Sequence, residues 1–451
     1  MAAYWKAGRG IRCRRGLILL PRHRPDRGRF MARGYNWKFD IPPEIDEHSI
    51  AKHRVLRRYV ENYIQILCLN PRRECLRLVV VDGFCGGGLY QTSSGEPHLG
   101  SPLILRQALQ AGRAFVQTRR VEMGMHRPFD LEATLHLNDN DADAIKSLRA
   151  QLATCPKNEW APTTHVTQLD FNMAAAQLIT AYKHSRRSPR IIFVLDQYGF
   201  TQTTLPVMKS IFTTFPKAEI VLTFAVDALT NFASPETREL YRRILAKTGF
   251  DEVVSAERLT ELKAEDHGAK HVIQTLLLRE VFPQTGAAYA TPFFVIPRQS
   301  RRGYWLVHLA NNTRANDEMK RLHWQEHNHF MHFGAEGVGI LAFDPVRLDE
   351  TPQYTFDFGD IAQQRTSSAL HHDLPKLVHD QFSAGTNVGT LLERIANETP
   401  ATRDMVQQVL FELGRTGEIE MRTQHGRQRK HVDRLQLLDE IHPRRQFFLF
   451  R

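Results

Sequence analysis

A chain of 451 residues exceeds one ordinary domain and accommodates two or three, with length enough for a large core. Its apolar stretches fall short of the ~20 residues a spanning helix needs, which excludes a bundle of such helices. Its five cysteines (Cys13, Cys68, Cys75, Cys85, Cys155) form no C-x-x-C pair and leave an odd count. That argues against a disulfide framework or a cysteine-rich zinc site and leads us to expect reduced thiols in a cytoplasm. The formal charge of +11 is unevenly spread: residues 1–30 hold nine Lys or Arg against Asp26 alone, leaving +3 for the rest. Residues 1–35 therefore read as a basic extension, either an arm that grips phosphates or an upstream run with Met31 as the true initiator.

Over 50–67 an amphipathic helix is predicted, with Val55, Leu56, Tyr59, Val60, Tyr63, Ile66 and Leu67 on one side and Lys52, Arg54, Arg57, Arg58 and Glu61 elsewhere. It leads into an apolar strand, Val79-Val80-Val81, that breaks at Asp82-Gly83-Phe84-Cys85-Gly86-Gly87-Gly88. Glycines there let a ligand lie against the backbone at the strand's carboxyl end, as in doubly wound α/β sheets. The spacing Asp-x-Phe-x-Gly-x-Gly suits the cofactor loop of S-adenosylmethionine-dependent methyltransferases better than a P-loop, because no Gly-Lys-Ser/Thr follows to hold a triphosphate. Asp82, Gly83, Phe84, Gly86 and Gly88 are the candidate cofactor contacts on this loop.

Gly100-Ser101-Pro102 opens a second helix, read over 103–111, and the distance to the next strand (134–138) implies an insertion across 113–130. That strand ends at Asp139, placed either to accept bonds from ribose hydroxyls or to cap the following helix. Asp170 is similarly placed to meet an adenine amino group or to cap a helix over 173–182. The apolar run 191–195 closes on Asp196-Gln197-Tyr198-Gly199, the way a central parallel strand delivers residues to a site. A strand at 220–224 and two more at 291–296 and 304–310 follow; the last two are joined by too short a turn for a crossover and so pair antiparallel. The expected fold class is α/β: a Rossmann-like doubly wound methyltransferase sheet with a terminal antiparallel hairpin, over 36–343.

These motifs, taken in order, resemble those of the three-Cys-motif partner protein family, TcmP, across most of 40–330. The likeness rests on His48 and Lys52 before the first strand, Asp82 to Gly86 followed by Gly100-Ser101-Pro102, Asp139, Asp170-Phe171, Asp196-Gln197-Tyr198-Gly199, and Tyr304, Met319 and Trp324. The resemblance implies a class I methyltransferase-like domain that uses S-adenosylmethionine, often encoded near mobile elements beside a three-Cys-motif partner protein. Two departures stand out: Gln197 replaces the usual proline, and Thr223 stands where asparagine is common.

In amino-directed methyltransferases an acid-Pro-x-aromatic turn holds the target nitrogen by its carboxylate and a backbone carbonyl while the ring stacks on the base. Asp196, Gln197 and Tyr198 are the catalytic candidates on that pattern; losing proline forfeits a pre-set φ but keeps the carbonyl. A duplex acceptor would have to be flipped out first. The expected activity is N-methylation of a nucleic-acid base; the alternative is a non-catalytic adaptor or sensor built on the same fold.

Residues 344–375 read as a linker, and 376–451 as a winged helix-turn-helix. Val388, Leu391, Leu392 and Ile395 mark one helix; Val406, Val409, Leu410 and Leu413 mark the next; a hairpin then returns over 429–435. Arg403 and Gln407 would face a nucleic-acid groove, with Arg422, Arg427, Arg429 and Lys430 on the wing. Protein contact is the other use of such a module. His323-Trp324-Gln325-Glu326-His327 fits H-x-x-E-H, but it follows the sheet's last hairpin and is read as a coincidence, with no metal expected.

Overall fold

The computed structural model describes residues 35–37, 41–70, 72–125, 129–185, 189–197, 200–226, 229, 237–265, 276–295, 304–325, 360–429 and 435–444. The basic extension, Tyr198, Lys430 and the first part of the expected linker lie outside these. A seven-stranded sheet organises the first domain, in the order β5-β4-β1-β6-β7-β9-β8. Its members are β1 (Cys75–Asp82), β4 (Asp130–Asp139), β5 (Thr163–Gln168), β6 (Arg190–Leu195), β7 (Ala218–Phe224), β8 (Tyr289–Val295) and β9 (Tyr304–Ala310). The first five run parallel, and β9 lies antiparallel between β7 and β8. A short hairpin of β2 (Leu89–Gln91) and β3 (Pro97–Leu99) follows the glycine loop. A doubly wound α/β sheet of the methyltransferase kind, with its terminal hairpin, is thus the architecture.

Period-2 alternation divides the core between two faces. In β1, Leu76, Leu78 and Val80 face one cluster with α1 (Glu47–Cys68), α2 (Ser101–Glu122) and α3 (Ala142–Thr154). Val79 and Val81 face the other, with α4 (Phe171–Tyr182) and α5 (Leu205–Thr214). Because both faces are covered, β7 is buried at every position and reads as a continuous apolar run rather than an alternating one. Three polar side chains are nonetheless buried together here: Tyr59 of α1 donates to Glu219 of β7, and His308 Nε2 of β9 lies 3.2 Å from the same hydroxyl. This cluster ties the first helix to the hairpin end of the sheet.

Residues 113–122 are not an insertion but the rest of α2. The buried stripe continues through Gly112, Val116 and Arg120, and the Arg120 guanidinium then caps the carbonyls of Cys68 (2.6 Å) and Asn70 (2.9 Å). Past β7 come α6 (Arg238–Thr248) and α7 (Ala256–Glu265), and past β9 comes α8 (Thr313–Gln325). In α8, His323 is buried and stacks on Phe293 with ring centroids 3.4 Å apart, which accounts for it as a packed core side chain.

The C-terminal domain has its own core and the full winged-helix order: α9 (Asp360–Gln381), β10 (Thr386–Asn387), α10 (Val388–Ile395), α11 (Arg403–Thr416), β11 (Ile419–Arg422) and β12 (Glu440–Pro443). The strands form a sheet in the order β10-β12-β11. One expectation is corrected. Residues 360–375 of the expected linker are helical instead, because Leu370, Leu374 and Val378 repeat every fourth residue and bury against α11 despite Pro375 inside the helix. The wing turns at His425-Gly426 and returns from Gln428, which bridges antiparallel to Arg422, with Arg429 N donating to Met421 O at 2.9 Å; 430–434 lie outside the described residues, and β12 pairs Glu440 with Arg422. No helix among the described residues is long and apolar enough to cross a membrane.

Candidate cofactor and acceptor site

The glycine loop leaves β1 and is stitched to both neighbouring strands: Gly83 N donates to Val194 O and Cys85 N to Asn138 O, each at 2.9 Å. Gly86 (φ +60°) and Gly88 (φ +83°) take left-handed conformations that other residues adopt at a cost. Gly83 has a different reason: a Cβ there would come within 2.7 Å of Leu195 and Phe171. Phe84 packs on Phe171, ring centroids 5.4 Å apart, and so supports the loop rather than lining an open surface.

Asp82 is fully buried at the end of β1. Burial pushes its carboxyl up to about 7, against the pull of hydrogen bonds from the Ser101 hydroxyl and the Phe84 amide. Its Oδ2 is buried without a hydrogen-bond partner. A buried orphan oxygen beside a loop of glycines fits a ligand that brings its own donor. Asp139, at the end of the adjacent β4, accepts from Gly86 N and Asp141 N, both at 2.9 Å. Burial raises its pKa while those amides oppose the rise. Asp139 therefore orders the loop, and capping of α3 falls to Asp141. Asp170 is exposed and caps α4, accepting from Asn172 N at 2.9 Å.

At the end of the neighbouring strand, Asp196 leaves β6 and meets Lys52 of α1, whose Nζ lies 2.6 and 2.8 Å from the two carboxylate oxygens. The lysine side chain is 7 % exposed and the aspartate 30 %. Burial works to raise the Asp196 pKa, but the Lys52 charge and hydrogen bond, with a further bond from Thr223, hold it below the usual carboxylate range. The carboxylate is thus kept ionised and aimed, with accepting capacity left on its solvent side. Gln197 turns inward: Oε1 accepts from Gln202 N (3.0 Å) and Thr203 N (2.9 Å), so the side chain shapes the following turn. With its amide buried in that turn, the role expected of Gln197 is left to its backbone carbonyl.

Three aromatic residues complete the site. A Cβ on Gly87 would stand 2.4 Å from the Trp37 ring, which also lies over Gly86. Trp37 meets Tyr90 edge-on at 5.1 Å, and Tyr35 meets Tyr90 at 4.9 Å. Burial lifts Tyr35 to about 12, and the Asp196 charge adds to that rise, so this segment spans from the glycine loop toward the acid. Beneath it, His53 is driven down to about 3 by burial and stays neutral, stacked on His98.

The nucleic-acid candidates are dispersed. Arg403 and Gln407 lie on the first turns of α11, in a cleft shared with α8. Arg422 pairs with Glu420 on an exposed face, and Arg427 is exposed at the wing turn. Arg429 is corrected: its Nε sits 2.6 Å from Asp439, which is 3 % exposed, so it braces the wing instead of presenting a free charge.

Residues 342–426 match the family described as the GMT-like wHTH domain. That agrees with the helix and strand order just described. Among curated proteins no match is found. Among solved structures, Trm1 from Pyrococcus horikoshii in complex with S-adenosyl-L-methionine is similar at 11 % identity and a TM-score of 0.29, over 86 % of this chain and 90 % of that one. The fold class rests on the strand order and the winged-helix match, not on this likeness.

Proposed function

We propose that the chain is an S-adenosylmethionine-dependent N-methyltransferase acting on a nucleic-acid base, with the winged helix as its nucleic-acid contact. One observation carries the reading: Asp82 and Asp196 leave the ends of neighbouring parallel strands, where Asp82 pairs in register with Val194, close enough for the Asp196 charge to act on Asp82, beside a glycine loop that packs under Trp37. Asp82, with its unpartnered oxygen, suits the cofactor's amino group, and Asp139, whose oxygens already accept from Gly86 N and Asp141 N, would take its ribose hydroxyls on their remaining lone pairs. When bound, the cofactor supplies an electrophilic methyl group. Asp196 would accept an N–H from the acceptor amine and so aim the nitrogen lone pair, while Lys52 keeps that carboxylate ionised; the Gln197 carbonyl would take the second N–H. The proton released from the methylated nitrogen passes to solvent across the exposed side of Asp196.

The resemblance to the three-Cys-motif partner family supports this reading and adds a partner protein with three cysteines. A second reading, a SAM-sensing adaptor without catalysis, is favoured by the engagement of both Asp196 oxygens with Lys52. Calorimetry with S-adenosylmethionine, followed by labelled-methyl incorporation into DNA, RNA and protein, separates them. Incorporation into nucleic acid supports the enzyme, binding without incorporation supports the sensor, and absence of binding sinks both.

A further inference from the structure

The edge by which winged-helix modules usually approach a duplex, the turn between the second and third helices and the start of the third, is here packed against the sheet domain. Four side chains hydrogen-bond across the seam among the described residues. Asn397 Nδ2 donates to Ala288 O, and its Oδ1 accepts from Ala290 N, both at 2.9 Å. Lys320 Nζ donates to Ala396 O at 2.6 Å, and Trp324 Nε1 to Pro400 O at 3.0 Å. Asp317 of α8 accepts from Arg403 N at 2.7 Å, at the end of α11 where a helix favours negative charge. Thr399, Ala401 and Thr402 are buried in the same seam.

The remaining space is a cleft of about 690 Å³ in which Arg314 and Arg321 face Arg403 and Gln407 across Asp317 and Asp404. Its acids offset its bases, so it is no groove for a polyanion. From these contacts we infer that duplex DNA and the sheet domain compete for one edge of the winged helix, so that the arrangement described is a closed state in which α11 cannot read. This rests on the nucleic-acid role proposed above. Asp317 holds by its charge the place a backbone phosphate would take, and Asn397 holds the turn to β8. DNA binding must break both, so the apparent affinity is reduced by the small fraction of open molecules.

The competition is reciprocal, and the full-length wild type tests it directly. A fluorescein-labelled 25-base-pair duplex is titrated by anisotropy at fixed salt while amide exchange is followed at Ala290, whose N–H is bonded to Asn397. DNA binding should speed Ala290 exchange, and Asn397→Ala combined with the conservative Asp317→Asn should raise affinity roughly tenfold. DNA binding with Ala290 protection unchanged overturns the inference while leaving nucleic-acid binding intact. Faster Ala290 exchange in the double variant with unchanged affinity does the same. Failure of both proteins to bind any duplex or single strand overturns the inference and the nucleic-acid role together.

Discussion

Trp37 lies flat enough on Gly87 that a single methyl group added there would come within 2.4 Å of its ring. Gly87 has no positive φ to demand glycine, so the aromatic cover is what the position accommodates. Gly87→Ala should therefore displace Trp37 and destabilise the protein by about 1–3 kcal/mol, the usual cost of overpacking. Adding Trp37→Ala should recover most of that loss in a denaturant titration. A neutral Gly87→Ala with unchanged tryptophan emission would show that the ring does not hold this place.

Lys52→Met removes the partner that keeps Asp196 ionised. The carboxyl pKa should rise, and methyl transfer should fall by about two orders of magnitude, in line with losing one preorganised electrostatic contact to the reacting group. Cofactor affinity should change only a few-fold. Stability should drop by about 1–3 kcal/mol, less than for a fully enclosed pair because Asp196 keeps 30 % of its side chain exposed. Unchanged turnover in labelled-methyl assays would remove Asp196 from the chemistry.

Asp82 makes a pH prediction whose sign follows from its raised pKa. The native state holds the proton up to about pH 7, whereas the unfolded chain releases it near the ordinary aspartate value of 3.8. The stability this confers is complete below that lower value and is lost as pH rises to about 7, with a slope of at most ~1.4 kcal/mol per pH unit. Asp82→Asn should flatten the profile. A cationic amino group on the ligand prefers the ionised form, so S-adenosylmethionine affinity should climb between about pH 6 and pH 8 in the wild type but not in the variant. Calorimetry across that range reads it, and a flat wild-type profile would take Asp82 out of cofactor binding.

On the wing, two arginines should behave differently. Arg427→Ala should leave stability unchanged and reduce the salt slope of DNA binding by about one. Arg429→Ala strands a buried Asp439 carboxylate and should cost about 3 kcal/mol in thermal unfolding. Equal effects of the two would contradict the bracing role given to Arg429.

The sheet was legible because β1, β6 and β7 are covered on both faces and so read as plain apolar runs; the positions of Asp82, Asp139 and Asp196 at strand ends followed from that. The Lys52–Asp196 pair joins residues 144 apart, which no local pattern announces. A signal did exist: Lys52 continues the stripe of Val55, Leu56, Tyr59, Val60 and Tyr63 at helical spacing, and a lysine on a buried stripe needs a partner. Trp37 and Tyr35 carry no periodicity at all, and α9 was hidden because only every fourth residue of a polar, proline-containing run is buried.

Asn397 also has a consequence for solubility. β8 is the outermost strand of the sheet, and its outward amide and carbonyl at Ala290 and Ala288 are answered by one side-chain amide that imitates a further strand. A chain cut before residue 360 would present that border bare, and bare borders recruit one another into intermolecular ladders. The winged helix thus doubles as a guard against self-association, and the first domain is best produced with it attached.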